Sequence, residues 1–253
     1  MNLRVLGCGG GEQSGRRLTS FLLNGCVLLD AGAATGALLL EEQARIRAVL
    51  LSHSHLDHVV GLAFLADNLA VNSHQPPVPI FSIPEVLDIL REHLFNDLLW
   101  PDFTRLPSRD RPVFQLSPLQ QGAEASVEGL AVTAIPVDHT LPAVGYLIRD
   151  QKSAILYTGD TGPTEKLWAV ARECQDLKAV IVETSFPDRL EKLAKQSGHL
   201  TPGMLKTELA KLSREVPVLI THLKPPFVVE IQKEIAAAKG NLVLLEDGQQ
   251  YSF

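Results

Sequence analysis

Four side chains able to hold a transition metal fall within six positions, His53, His55, Asp57 and His58 in Leu51-Ser-His-Ser-His-Leu-Asp-His. An α-helix turns by about 100° per residue and cannot aim four such neighbours at one point. A strand end running into a tight loop can. Neutral imidazole and carboxylate suit zinc, manganese or iron, and no thiolate lies nearby to favour a softer ion. A solvated loop is the ordinary alternative for a lone histidine. The Asp among the histidines and the apolar run before them count against chance.

The elements around this stretch are read from its flanks. Residues 46–51 are apolar and branched and read as a buried strand, and 59–69 read as the helix leaving the loop. The same arrangement recurs down the chain. Apolar strands over 131–137, 154–157, 179–183 and 216–221 end at or just before His139, Asp160, Glu183 and His222. Rigid strand ends hold side chains to the tolerance a metal centre needs. So many ligands exceed one tetrahedral ion and suit two.

Other strands are expected over 3–6, 19–23, 27–30, 78–81, 113–116, 144–148 and 242–245, with Asn24-Gly25 as a hairpin turn. Helices are expected over 35–46, 84–95, 166–174, 202–215 and 226–239. Residues 96–111 are rich in proline and aromatics and read as a loop or short-helix cover near the site. Phe95, Trp100 and Phe103 could stack on a purine or simply cap the core. Strands in two groups with helices between them suggest two packed sheets with helices outside.

The chain has 253 residues, 45% hydrophobic and 21% charged, with net charge −6. That allows a substantial core without disulfides. The acidic balance argues against a dedicated nucleic-acid surface. Cys8, Cys26 and Cys174 are an odd, scattered set with no CxxC, and read as reduced thiols. With no secretory leader and no long apolar run, the cytoplasm is the expected location and no membrane span is expected. His74 and His93 read as surface residues. Asp30, at a strand end, is either a turn residue or a partner for a ligand imidazole. Lys224, shortly after His222, is a minor candidate for meeting a phosphate.

His53-Ser-His-Leu-Asp-His58 resembles the HxHxDH signature of the metallo-β-lactamase fold superfamily. His139, Asp160 in Thr-Gly-Asp-Thr and His222 in Thr-His-Leu-Lys match that superfamily's later ligands in order, so the resemblance runs along essentially the whole chain. It implies an α/β, four-layer αββα sandwich, here a single domain over 1–253. It also implies two divalent metals, zinc ahead of manganese or iron. One would sit on His53, His55 and His139 and the other on Asp57, His58 and His222, with Asp160 between them.

Glu183-Thr-Ser-Phe-Pro, Gly198-His-Leu-Thr-Pro and Ile220-Thr-His-Leu-Lys-Pro resemble the class II 3′,5′-cyclic-nucleotide phosphodiesterases. Thr158-Gly-Asp-Thr and Gly198-His-Leu-Thr also resemble ribonuclease Z. Ala66 and Asp67 depart from the phosphodiesterase opening motif, which bears on the substrate and not on the metals. Ribonuclease Z enzymes commonly carry a long arm between His139 and Asp160, where this chain has only 20 residues.

The resemblance implies a dinuclear hydrolase that cleaves a small phosphodiester, cyclic AMP or cyclic GMP, by attack of a metal-bridging hydroxide. Asp57, His199 and Glu183 are assigned to catalysis, with His199 as general acid or transition-state partner and Glu183 orienting it. A ribonuclease Z-like nuclease and an aryl- or alkylsulfatase are the alternatives within the fold. A metal-binding sensor without turnover is the alternative outside enzymes. A homodimer is expected from the resembling families.

Overall fold

Strand alternation decides where each face of this chain goes. The computed structural model describes residues 1–71, 76–212, 214–238 and 240–253. In the N-terminal half, β1 (Asn2–Gly7), β2 (Ser20–Leu23) and β3 (Val27–Ala31) lead through two one-turn helices, α1 (Ala34–Ala37) and α2 (Leu40–Gln43). Then come β4 (Ala48–Leu50), α3 (Leu56–Ala70) and β5 (Val78–Ser82). The helix α4 (Pro84–Ile89) runs into a π-turn at Leu90–Leu94. A small hairpin, β6 (Pro107–Ser108) and β7 (Arg111–Pro112), precedes β8 (Phe114–Pro118).

In the second half, β9 (Glu124–Val127), β10 (Leu130–Pro136), β11 (Val144–Arg149) and β12 (Ala154–Tyr157) form a meander. Helix α5 (Lys166–Glu173), β13 (Leu177–Glu183), α6 (Glu191–Gln196), α7 (Pro202–Leu209) and β14 (Val218–Thr221) follow. The chain ends in α8 (Val228–Ala237), β15 (Leu242–Leu244) and β16 (Gln250–Ser252).

Two seven-stranded sheets result, in the orders β16-β1-β2-β3-β4-β5-β8 and β15-β14-β13-β12-β11-β10-β9. The run from β3 to β8 is parallel, and so is the run from β12 to β15. Parallel strands are covered on both faces, so their residues are apolar on both sides of the pleat. Along β13, Ala179 and Ile181 join the core between the sheets, while Val180 and Val182 join a second core beneath helices. Tyr146 against Leu147 on β11, and Tyr157 against Leu156 on β12, alternate in the same way. Leu62, Leu65 and Leu69 of α3 cover the first sheet, and Leu167, Trp168 and Leu205 of α5 and α7 cover the second. This is the four-layer αββα sandwich.

Several expected elements are altered. The helix expected over 35–46 is broken at Leu39, whose extended backbone N–H donates to Glu42 Oε2 at 2.9 Å. The α7 helix stops at Leu209, short of the expected 215, and α8 is preceded by a 3-10 turn, Pro225–Phe227. The edge strands β9 and β16 and helix α6 carry weak apolar period and escape a reading by pattern. Residues 96–111 are largely irregular, but Phe95 and Phe103 are buried in the core and serve as its cap. Trp100, partly buried, packs against the same core and edge-on against Phe64, with ring centroids 5.4 Å apart. His93 is exposed, and His74 lies outside the described residues. The three cysteines are free. Burial, then Asp247, pushes the Cys8 thiol up to about 12. Among the described residues no helix is long and apolar enough to cross a membrane.

The packing of α3 on β3 depends on Gly61. A Cβ there would lie 2.2 Å from the Ala31 carbonyl oxygen. Alanine in a helix normally gains about 1 kcal/mol over glycine, but overpacking costs typically about 1–3 kcal/mol. With rigid backbone as the obstacle, the second effect wins. Gly61→Ala is expected to lower the urea midpoint at unchanged slope, by a loss of about 1–2 kcal/mol. An equal or higher midpoint would contradict this packing.

Candidate metal centre

Each sequence-derived site residue lies at the same edge of the sandwich. Ser52 and His53 follow β4, and His55 is the extended N-cap of α3. The helix begins at Leu56 rather than near residue 59, so Asp57 and His58 stand in its first turn. The motif therefore splits into two aimed pairs, one from the loop and one from the helix. His139 follows β10, Asp160 follows β12, Glu183 ends β13 and His222 follows β14. His199 precedes α7, whose cap is Thr201, its hydroxyl accepting from Met204 N at 3.3 Å.

Three overlapping groups of donors converge. His53, His55, His139 and Asp160 form one, Asp57, His58 and His222 a second, and Asp160, His199 and His222 a third, the ligand atoms of each lying within 4.8 Å of one another. The first two share no residue. His55 Nδ1 is 3.1 Å from His53 Nε2 and 3.2 Å from His139 Nε2. His222 Nε2 is 3.2 Å from His58 Nε2 and 3.1 Å from Asp57 Oδ2. Asp160 reaches both groups, with Oδ2 3.7 Å from His53 Nε2 and Oδ1 3.5 Å from His58 Nε2. Ligands about 2.0–2.2 Å from a tetrahedral ion stand about 3.3–3.6 Å apart, so these spacings fit metal coordination.

The outward ring nitrogens fix the tautomers. His139 Nδ1 donates to the Gly198 carbonyl at 2.8 Å, and His58 Nδ1 donates to Asp30 Oδ2 at 2.8 Å. The Ser52 hydroxyl donates to Asp30 Oδ2 at 2.7 Å, so it accepts from His53 Nδ1 at 2.9 Å. The Ser185 hydroxyl donates to Glu183 Oε2 at 2.8 Å and accepts from His222 Nδ1 at 2.8 Å. In its neutral, metal-binding form each of these imidazoles has one N–H, which the outer partner takes, and all four Nε2 lone pairs would face inward. Lone pairs and carboxylates gathered this closely call for a cation, and oriented outer nitrogens are the usual support of metal-binding histidines. The donor set has the chemistry of a divalent metal site.

Asp30 is the support sequence reading left undecided. It is fully buried and also accepts from Ser52 N at 2.8 Å and Tyr157 Oη at 2.6 Å. Tyr157 carries no signal in the sequence, whereas Ser52 directly precedes His53 and Ser185 lies within the Glu183-Thr-Ser-Phe-Pro motif. Gly198 is required by its φ of +64° and because a Cβ would lie 2.8 Å from His139 Cα.

His199 Nδ1 lies 2.8 Å from Glu183 Oε1, and its ring stacks on His222 at 5.5 Å. Burial lowers the His199 pKa, but Glu183 and then Asp160 raise it, and the net shift is upward. Burial raises the Asp160 carboxyl, yet His222 and His58 overcome this and hold it well below the ordinary carboxylate range. His53, encased, is lowered chiefly by burial and then by His58.

The description that fits this chain is the beta-lactamase superfamily domain, whose family model matches residues 26–223. The chain belongs to that superfamily. It is 29% identical over 241 residues to a probable 3′,5′-cyclic-nucleotide phosphodiesterase of Yersinia pestis, covering 82% of this chain and 68% of that one. A ribonuclease Z of Archaeoglobus fulgidus is 23% identical over 281 residues, covering 87% of this chain and 86% of its own length. The fold matches the crystal structure of unliganded yeast PDE1 with TM-score 0.81 and 22% identity, over 98% of both chains.

Asp30→Asn keeps the side chain's shape but removes its charge and one acceptor. It is expected to weaken zinc binding by about 10–100-fold, measured by competition with a chromophoric chelator, at unchanged circular dichroism. Unaltered affinity would show that Asp30 does not orient the ligands.

Proposed function

We propose that this chain is a metal-dependent phosphodiesterase acting on a small phosphodiester, with 3′,5′-cyclic nucleotides as its substrates, and that residues 1–253 form one hydrolase domain. The observation that carries the proposal is two histidine–carboxylate groups joined at Asp160 with the His199–Glu183 pair beside them. The name borne by its Yersinia pestis relative points to the same reaction. A reducing compartment such as the cytoplasm fits the free cysteines.

In this proposal His53, His55 and His139 hold one divalent cation and Asp57, His58 and His222 a second, with Asp160 between them. Zinc is expected ahead of manganese or iron. When bound, such a pair polarises phosphoryl oxygens and makes water nucleophilic near neutral pH.

The chain's own groups do the rest. Asp57 and His55 stand on the more open side of the cluster, where a substrate can approach, while His53 and His58 are sealed beneath. His199 Nδ1 is committed to Glu183, which leaves Nε2 as the atom able to deliver a proton to the leaving alkoxide. Glu183 is itself fixed, its Oε1 accepting from Thr161 N at 3.2 Å and its Oε2 from Ser185. It therefore orients the His199 ring and favours its charged form.

Zinc-loaded protein is expected to hydrolyse 3′,5′-cyclic AMP or cyclic GMP in preference to the 2′,3′ isomers, and to carry about two metals per chain by elemental analysis. Two metals with no turnover of any phosphodiester would contradict the proposal. His199→Ala is expected to lower kcat by about 10²–10⁴-fold at unchanged metal content. A variant with wild-type kcat would remove His199 from the mechanism.

A further inference from the structure

Lys224 is set apart from the other lysines. Among the described residues every other lysine is exposed except Lys211, which is half-buried and paired with Glu165 and Glu208 at 2.7 Å each. Lys224 is half-buried, and among the described residues its ammonium has no ion pair or hydrogen bond. A lysine whose stem is partly buried and whose charge has no partner in the fold can offer that charge to an anion from outside.

The backbone holds this residue in place. It follows His222 and the buried Leu223, whose carbonyl accepts from Gly10 N at 3.2 Å. Lys224 N donates to the Ser185 carbonyl at 3.4 Å, and its own carbonyl accepts from Phe227 N at 2.9 Å. Pro225 and Pro226 follow and limit the turn. The lysine is thus tethered beside the stacked His222–His199 pair, close enough for its charge to oppose protonation of His199. The two acids that face His199 are already engaged. Glu183 is bonded to His199, Ser185 and Thr161, and Asp160 faces the histidine cluster. Among the described residues no carboxylate pairs with Lys224.

We propose that Lys224 is a substrate-binding residue whose ammonium takes a non-bridging phosphoryl oxygen on the His199 side of the metal cluster. The identity of the oxyanion as a phosphodiester rests on the phosphodiesterase reading. The existence of an oxyanion site does not. A lysine is a compact point charge with three rotatable donors. It can follow an oxygen whose position changes little as the phosphorus centre rearranges. Such a contact stabilises ground and transition states alike, so its loss raises KM more than it lowers kcat.

The test compares wild type, Lys224→Met and Lys224→Arg, all zinc-loaded and checked for metal content. Kinetics are measured with 3′,5′-cyclic AMP and with bis-p-nitrophenyl phosphate, and inorganic phosphate binding is measured by calorimetry. Lys224→Met is expected to raise KM for both substrates by about tenfold or more while kcat changes by less than about threefold. Phosphate should bind more weakly by a similar factor, and Lys224→Arg should recover part of both losses. Wild-type KM and phosphate affinity in an active Lys224→Met enzyme would overturn the role of Lys224 and leave the phosphodiesterase reading standing. A fall confined to kcat, or loss of metal, would likewise overturn a binding role. If wild type cleaves no phosphodiester but binds phosphate in a Lys224-dependent way, the oxyanion site stands and the substrate reading fails. If it neither cleaves phosphodiesters nor binds phosphate, both fail.

Discussion

A carboxylate removed from water must be surrounded by donors, and Asp30 is the place where this chain meets that demand. It ends β3 in the first sheet, fully buried, and takes hydrogen bonds from Ser52 N, Ser52 Oγ, His58 Nδ1 and Tyr157 Oη. Tyr157 belongs to β12 of the second sheet. One charge therefore ties together both sheets, the loop after β4 and the first turn of α3. A buried carboxylate left with fewer donors would be strongly unfavourable, so the geometry around it is narrowly set. His58 is oriented directly by this carboxylate and His53 through Ser52. The histidine–carboxylate cluster inherits its rigidity from the fold at this point.

The same demand is met a second time on the other side of the cluster. Glu183 is fully buried at the end of β13 and accepts from His199, Ser185 and Thr161. Ser185 passes that orientation on to His222. Asp30 itself, and His222 beside the second support, have backbone in the left-handed region, with φ of 53° and 65°. Such conformations cost on the order of 1–3 kcal/mol in non-glycine residues and persist where surrounding bonds determine them. At this edge the sandwich thus combines strained backbone with buried charge.

Much of the architecture was legible because apolar period and strand-end chemistry coincide. The apolar runs before His139, Asp160, Glu183 and His222 gave both the strands and the residues brought together at their ends. The motif at 53–58 was legible as a cluster, though not as a loop pair and a helix pair, because the helix starts at Leu56 without a polar cap to announce it. What was not legible depends on distant partners. Tyr157 meets an acceptor 127 positions away. Gly198 is needed because His139 crowds it, and the exposed edges β9 and β16 have too little apolar alternation to be seen. The break at Leu39 comes from a local hydrogen bond to Glu42 that competes with the helix.

We propose that two cations sit on either side of Asp160, and diffraction tests this directly. Crystals of zinc-loaded protein, measured above and below the zinc absorption edge, locate the ions without reference to activity. The account predicts two anomalous peaks, about 3.5–4 Å apart, one among His53, His55 and His139 and one among Asp57, His58 and His222, each within coordination distance of Asp160. A single peak in fully loaded crystals, or peaks away from these side chains, would contradict it.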